Sequence, residues 1–452
     1  MSRKTTTAPP GAKPTRPAAL DGALRSAIAA HQAGKLAEAE RRYRALLAVA
    51  PRHTDALHFL GVLLHQQGRR EAALALIEQA LLLAPGYVDA RNNLGNVQKE
   101  LGRPADAEHS YRAVLAARPD FALAWNNLGV VLKSQGRGED AAEAYRQCLA
   151  LAPEFAEGWA NLGNALRALH QLQEAMTAYH RAIELAPQSV EAYHNLGQAL
   201  VSSGRTADAL DVYRRWQQQQ PDNPAIAHMI AAVAGGAAPE RASDGYVQST
   251  FDRFASTFDE VLTALDYRAP ALCGALVADL LGPANAALDI LDAGCGTGLC
   301  APILAQWART LDGVDLSPNM LEKAAARGGY RLLEAAELSA WLAAHPASYD
   351  LVVSADTLCY FGALDDVAAA AAGALRAGGH LVFTLEESLG QGTGEAQPFV
   401  LNPHGRYSHS EAYARAALAR AGLEVLALQR HVLRTELGAP VAGLAIAARR
   451  QQ

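Results

Sequence analysis

Apolar and small residues in the first half of the chain return every 34 positions. Proline stands at Pro51, Pro85, Pro119, Pro153, Pro187 and Pro221 with no slip in register, and Leu-Gly pairs stand at Leu60-Gly61, Leu94-Gly95, Leu128-Gly129, Leu162-Gly163 and Leu196-Gly197. Alanine recurs at Ala39, Ala73, Ala107, Ala141, Ala175 and Ala209, followed four positions later by Tyr43, Ile77, Tyr111, Tyr145, Tyr179 and Tyr213. The pattern predicts pairs of helices. Small residues let the two helices approach closely, the large residue fills the hole between repeats, and proline, which lacks an amide proton, stops the second helix. One pair cannot bury its own apolar face, so neighbours stack into a superhelix. The first unit, residues 20–53, lacks the Leu-Gly pair and reads as an atypical cap. From Tyr267 the pattern changes to alternating strand and helix, as a parallel sheet requires. Strands are expected at 288–293, 311–315, 330–334, 350–355, 380–385, 424–430 and 442–448. Helices are expected at 299–308, after Leu364, after Ser410 and after Ser317, where Pro318 takes the first helical position without costing a hydrogen bond.

Residues 230–248 separate the two patterns, and Gly235-Gly236, Pro239 and small polar residues mark them as a linker. The chain therefore divides into a tail (1–19), a solenoid (20–229, about six repeats), the linker and a second domain (249–450). The tail is basic and rich in Pro and Thr, with no apolar core, so it is expected to be disordered rather than a signal peptide. Across the end of the linker and the start of the second domain, Tyr246, Phe251, Phe254 and Phe258 stand at helical intervals, with Asp252 and Asp259 among them. Phe254 and Phe258 are expected to pack on the sheet, and Tyr246 and Phe251 are candidates for a pocket.

The chemistry concentrates in LDAGCGTG (291–298) and GVDLSPNML (313–321). Gly294, Gly296 and Gly298 lack Cβ atoms, so a turn there can press its backbone against a ligand. Asp315 ends the next strand, where a parallel α/β sheet reads ribose hydroxyls. A dinucleotide fingerprint would place a third glycine at position 299, which is Leu299. A single nucleoside bearing an amino-acid tail needs no such cradle. Asp292, Gly294, Cys295, Gly296, Thr297, Gly298 and Asp315 together resemble the hallmark of class I S-adenosylmethionine-dependent methyltransferases, over about residues 245–449.

That resemblance implies an α/β Rossmann-like domain with a seven-stranded mixed sheet, and S-adenosylmethionine as cofactor. It extends the cofactor-binding set to Leu316 and Met320 after the second strand, to Ala336 and Glu337 against the adenine (Glu334 being a rival), and to Ala355 after the fourth strand. Asp356 is placed to hold the cofactor's ammonium group or act as a base, and Tyr360 to contact the acceptor. The run 246–258 resembles the helical cap of repeat-bearing bacterial methyltransferases, which folds over cofactor and substrate. Arg406-Tyr407-Ser408-His409-Ser410 and Arg434-x-Glu436 resemble the same group, with His409 a candidate base and Arg406 a partner for an acidic substrate group.

The 34-residue pattern is that of tetratricopeptide repeats, which form an all-α solenoid. Asn93, Asn127, Asn161 and Asn195 occupy one position of the first helix of successive repeats, just before the Leu-Gly leucine. Asparagine offers both donors and an acceptor, so a ladder of them can pair with a peptide backbone. The NNLGN and NLGN segments resemble the repeats of O-linked N-acetylglucosamine transferase, which implies a groove for a protein or peptide. The competing expectation is that these asparagines cross-link adjacent helices. Lys99, Lys133 and Arg167, with Asp55, Asp89, Glu157 and Glu191, read as a solvated face.

Composition narrows the alternatives. Net charge is −6 with no basic cluster in the folded part, which argues against a dedicated nucleic-acid binder. No stretch approaches the roughly 18 apolar residues of a membrane span. The five cysteines show no metal-ligand spacing, so no metal site is expected and the compartment is expected to be the cytoplasm. Three functions stay open: a methyltransferase whose repeats recruit a protein or peptide, a small-molecule methyltransferase whose repeats serve assembly, and an inactive scaffold. A glycosyltransferase is suggested by the repeats alone.

Overall fold

A computed structural model describes residues 16–388, 397–436 and 438–452; residues 1–15 of the expected disordered tail lie outside the described residues. The repeats form helix pairs: α1 (Arg16–Gln32) with α2 (Leu36–Val49), α3 (Thr54–Gln66) with α4 (Arg70–Leu83), α5 (Val88–Glu100) with α6 (Pro104–Ala117), α7 (Ala122–Ser134) with α8 (Gly138–Leu151), α9 (Ala156–Ala168) with α10 (Leu172–Leu185), and α11 (Val190–Ser202) with α12 (Thr206–Gln219). Each second helix ends two residues before its proline. Two compact units divide the chain, Met1–Ala192 and Tyr193–Gln452. The division falls inside α11.

Within the first unit, the large residue of each pair lies on the glycine of the same pair rather than in a hole between repeats. A Cβ on Gly95, Gly129 or Gly163 would stand 2.7, 2.6 or 2.5 Å from the ring of Tyr111, Tyr145 or Tyr179. The Leu-Gly pair is therefore a packing requirement, since interiors at crystal-like density leave no room for a methyl group. The turn inside each pair carries a left-handed residue, Gly34, Gly68, Gly102 or Gly136, and His170 stands in the equivalent place with φ +60°.

The second unit continues with α13 (Pro224–Ala234), α14 (Asp244–Phe254), α15 (Phe258–Ala264) and α16 (Ala269–Leu281). Then come β1 (Leu288–Ala293), α17 (Ala301–Leu304), β2 (Ala308–Asp315), α18 (Pro318–Arg327), β3 (Leu332–Ala335), α19 (Leu338–Ala344), β4 (Tyr349–Ser354), α20 (Asp365–Ala374) and β5 (Leu375–Glu387). It ends with β6 (Phe399–Leu401), β7 (Tyr407–His409), α21 (Glu411–Arg420), β8 (Leu423–Glu436) and β9 (Ala439–Arg450). Strands β3-β2-β1-β4-β5 run parallel, and β9 pairs antiparallel with β5 and β8. These are the seven expected strands. The short hairpin β6–β7 is an addition, joined to the end of β5 through Glu386↔Ser408 and Glu387↔His409.

Alternate strand residues feed two cores, as a parallel sheet covered on both faces demands. Leu291, Val352, Phe383 and Ile446 pack with α19, α20 and α21, while Ile290, Leu351, Val353 and Val382 pack with α16 and α17. The segment 230–248 is not an open connector. It is helical through Ala234 and again from Asp244, and between them Ala242 N donates to Tyr360 O (2.8 Å) while Gly362 N donates to Glu240 O (2.8 Å). No single described helix is long and apolar enough to cross a membrane.

Candidate active site

Parallel pairing of β1 with β2 brings Ala293 opposite Val314, so the turns leaving the two strands emerge side by side. Gly294, Gly296 and Gly298 have φ of +77°, +53° and +83°, a region that L side chains avoid. The amides of Gly294 and Cys295 donate to Val314 O at 2.9 and 3.0 Å. Asp315 clasps both turns, its Oδ2 accepting from Gly296 N and its Oδ1 from Ser317 N, each at 2.9 Å. Burial raises the Asp315 pKa and the backbone amides oppose that rise. A Cβ on Gly294 would strike Thr357 Oγ1 at 2.2 Å, whereas one on Gly296 would meet nothing nearer than the Phe258 ring at 3.9 Å. At Gly296 the turn therefore presents bare backbone to a space roofed by Phe258.

Beneath the turn, Asp292 is fully buried and accepts from the Tyr330 hydroxyl at 2.6 Å. Burial pushes its pKa up to about 7. Tyr330 was expected only as a strand residue; it packs 3.1 Å from the Cβ position of Gly298 and 3.0 Å from that of Gly313. The Cys295 thiol is buried toward Gly313, and Met320 is wholly buried beneath α18, so both side chains lie under the expected cofactor site rather than lining it. Leu316 and Ala355 are half-buried at the strand ends. Ala336 donates its amide to Asp315 O at 3.1 Å. Glu337 caps α19, accepting from Ser339 N (3.0 Å) and Ala340 N (2.8 Å), so its carboxylate already serves its own helix.

The helices α14 and α15 are tied to these turns by Ser317 and Thr297 of the two motifs and by Arg327 at the end of α18. Ser317 Oγ donates to Asp252 Oδ1 at 2.6 Å, and Thr297 Oγ1 donates to Asp259 Oδ1 at 2.5 Å. Arg327 reaches both Thr297 O (2.9 Å) and the Asp259 carboxylate. Phe251 meets Phe258 and Tyr360 edge-on, with ring centroids 5.9 and 5.5 Å apart. Tyr246 instead stacks on His228 in the interior, and Phe254 is exposed rather than packed.

After β4, Asp356 adopts φ +58°, with its amide donating to Thr384 Oγ1 at 2.9 Å and its Oδ2 accepting from Arg434 Nη1 at 2.8 Å. Burial raises its pKa against the pull of Arg434. Arg434 also bonds Glu386 and Glu436, and Arg406 bonds the same two glutamates. Arg406 is thus committed to internal ion pairs rather than free for an acidic substrate group. The carboxylates of Asp356 and Glu386 lie with the Cys359 thiol in a cluster of metal-ligating type, but the Arg434 guanidinium already bridges the two acids. Burial also pushes the thiol up. His409 is not near the mouth of the site. Its pairing in β7 buries it completely, Nε2 donates to Gly362 O at 3.0 Å, and burial holds its pKa near 4, leaving it neutral.

In the first unit, the asparagines link repeat to repeat. Asn93 Nδ2 lies 2.8 Å from His58 Nε2, Asn127 Nδ2 donates to Asn96 Oδ1 (3.2 Å), and Asn161 Nδ2 donates to Asn126 Oδ1 (3.1 Å). All three are half-buried, and so is Asn195 on α11 in the second unit.

Residues 291–383 match the methyltransferase domain family, and residues 24–88, 92–156 and 160–224 match the tetratricopeptide repeat family. Human methyltransferase-like protein 27 is 42% identical to the chain over 116 residues, covering 23% of this chain and 47% of that protein. The chain thus spans about half the length of this curated relative. Solved structures similar to the chain include MamA (22% identical, 36% of this chain and 95% of that one, TM-score 0.35). Others are YrrB, described as a TPR protein with an unusual peptide-binding site (21% identical, 41% and 96%, TM-score 0.36), and the type IV pilus biogenesis factor PilW (18% identical, 45% and 94%, TM-score 0.43).

Proposed function

We propose that this chain, a class I methyltransferase domain carried behind tetratricopeptide repeats, transfers the methyl group of S-adenosylmethionine to an acceptor at the carboxyl edge of its sheet. The observation that carries this reading is the clasp of Asp315 on Gly296 N and Ser317 N in a left-handed glycine turn that is open at Gly296. These residues suit the cofactor. Bare backbone at Gly296 admits close approach, and each Asp315 oxygen keeps a lone pair for a ribose hydroxyl. S-adenosylmethionine, when bound, supplies a methyl carbon already activated by its sulfonium leaving group. The chain's own task is then positioning, which accounts for much of the barrier in such displacements. Phe258 roofs the turn and excludes water, while Phe251 and Tyr360 wall the side on which the acceptor enters. A base is needed only for an acceptor that arrives protonated, and Asp356 stands where one would act.

The repeats serve to recruit a protein or peptide partner, along the face of the first unit that carries Asn93, Asn127 and Asn161. A second reading, in which the repeats serve assembly only, is favoured by the way those amides are spent between neighbouring repeats. All five cysteines are buried and free, which suits a reducing compartment such as the cytoplasm.

Calorimetric titration of the full chain with S-adenosylmethionine tests the assignment. Micromolar binding is expected, weakened roughly 10- to 100-fold in Asp315→Ala, as loss of hydrogen bonds to a charged group implies. A wild type that does not bind leaves a repeat scaffold with an inactive domain.

A further inference from the structure

Asp356 is held at φ +58°, in the left-handed region that strains a non-glycine residue. Its Oδ2 is paired with Arg434, but its Oδ1 is buried and has no hydrogen-bond partner among the described residues. Such an oxygen loses its hydration and gains nothing in return. A strained, half-satisfied carboxylate beside the glycine turn is the kind of group a bound ligand completes.

The surrounding charges say which ligand. Three carboxylates, Asp356, Glu386 and Glu436, face two guanidinium groups, Arg406 and Arg434. His404 stands 3.7 Å from Glu386, and burial holds its pKa near 4, so it adds no positive charge at neutral pH. Glu386 and Glu436 are each met by both arginines, whereas Asp356 is met by Arg434 alone. The unmatched negative charge therefore belongs to Asp356. An aromatic row leads to it from the cofactor turn: Phe258 over Gly296, Phe251 edge-on to Phe258 and Tyr360, and Tyr360 on the same loop as Asp356. Aromatic faces attract cations.

We propose that Asp356 and the row Phe258, Phe251 and Tyr360 form the acceptor subsite, and that the acceptor is an amine that enters as its ammonium ion. This rests on the methyltransferase reading and narrows it. The ammonium gives one proton to Asp356 Oδ1, which becomes a neutral carboxylic acid, and the nitrogen regains the lone pair that attack on a methyl carbon requires. Carboxylate and phosphate acceptors are repelled by the same unmatched charge.

The test uses the full chain saturated with S-adenosylhomocysteine and titrated, by ligand-observed NMR, with phenethylamine and with phenylacetate, which are similar in size and opposite in charge. Phenethylamine is expected to bind at least about tenfold more tightly, and to lose about tenfold in Asp356→Asn. Phe251→Leu, which leaves the ion pairs intact, is expected to weaken the amine by about threefold or more. S-adenosylhomocysteine affinity is expected to be unchanged in Asp356→Asn. Equal or tighter binding of phenylacetate, no binding of either probe, or amine affinity unmoved by both substitutions overturns the proposal. Loss of S-adenosylhomocysteine affinity in Asp356→Asn also overturns it, by assigning this carboxylate to the cofactor's ammonium group. A wild type that does not bind S-adenosylhomocysteine removes the methyltransferase reading itself, a failure distinct from the others.

Discussion

His170 shows how much a single residue can say once its neighbours are known. Five equivalent turns, at Gly34, Gly68, Gly102, Gly136 and Gly204, place glycine in the left-handed region, and this one forces a β-carbon into it at φ +60°. Left-handed backbone costs an L residue about 1–2 kcal/mol, and glycine gives back part of that gain through the entropy of the unfolded chain. His170→Gly is therefore expected to stabilise the protein by up to about 1 kcal/mol, read as a rise in the urea midpoint at unchanged slope. Asp292 makes the complementary point. It stands in the motif as a matching acid, yet burial against Tyr330 gives it a pKa of about 7, so its proton is shared between states near neutrality. Asp292 is a structural anchor of the turn as much as a letter of the motif.

At the scale of the element, the glycine of each Leu-Gly pair decides whether two helices can close on each other. Tyr145 is fully buried on Gly129, and a methyl group there would lie 2.6 Å from its ring. Gly129→Ala is expected to cost about 1–3 kcal/mol, the range for overpacking a tight interior, and a thermal melt will show it as a lowered midpoint. The cap helices obey a different rule. Their hold on the glycine and Asp315 turns comes from polar clips, Asp252 to Ser317 and Asp259 to Thr297 and Arg327. Periodicity places Phe251 and Phe258 on a helix, but it is the clips that aim them at Gly296 and Tyr360.

For the whole molecule, pH reads out the buried histidine His409. Burial lowers its pKa to about 4 in the folded state, against 6.5 for a free imidazole. The unfolded chain therefore binds more protons between pH 6.5 and 4, and stability falls as pH drops through that window. Asp292 works in the opposite sense, because its raised pKa lets the folded state take up a proton first. The two signs separate in a variant. His409→Gln, which keeps a donor for Gly362 O, is expected to flatten the loss of stability between pH 6.5 and 4 by up to about 1.4 kcal/mol per pH unit. Urea midpoints at pH 7, 5.5 and 4.5 for wild type and variant check this. Equal slopes would mean that His409 titrates as freely when folded as when unfolded.

The sequence by itself determined whatever is local or periodic. Helix pairs repeat because 34-residue spacing fixes which residues share a face, and the glycine turn and Asp315 stand out because backbone approach demands those residue types within one strand–turn–strand unit. The chain pattern also gave the seven strands of the sheet in their order along the chain. Tertiary structure alone decided which charges meet. Asp356 finds Arg434 from 78 residues away, Arg327 finds Asp259 from 68, and Tyr330 finds Asp292 from 38. No periodicity relates such pairs, because their partners are chosen by how strands and cap helices pack. The same holds for His409 and Arg406, which look free in sequence. The added hairpin β6–β7 buries the first completely, and two glutamates claim the second. A polar side chain's role follows from its solvent access and its nearest opposite charge, and both are properties of the folded chain.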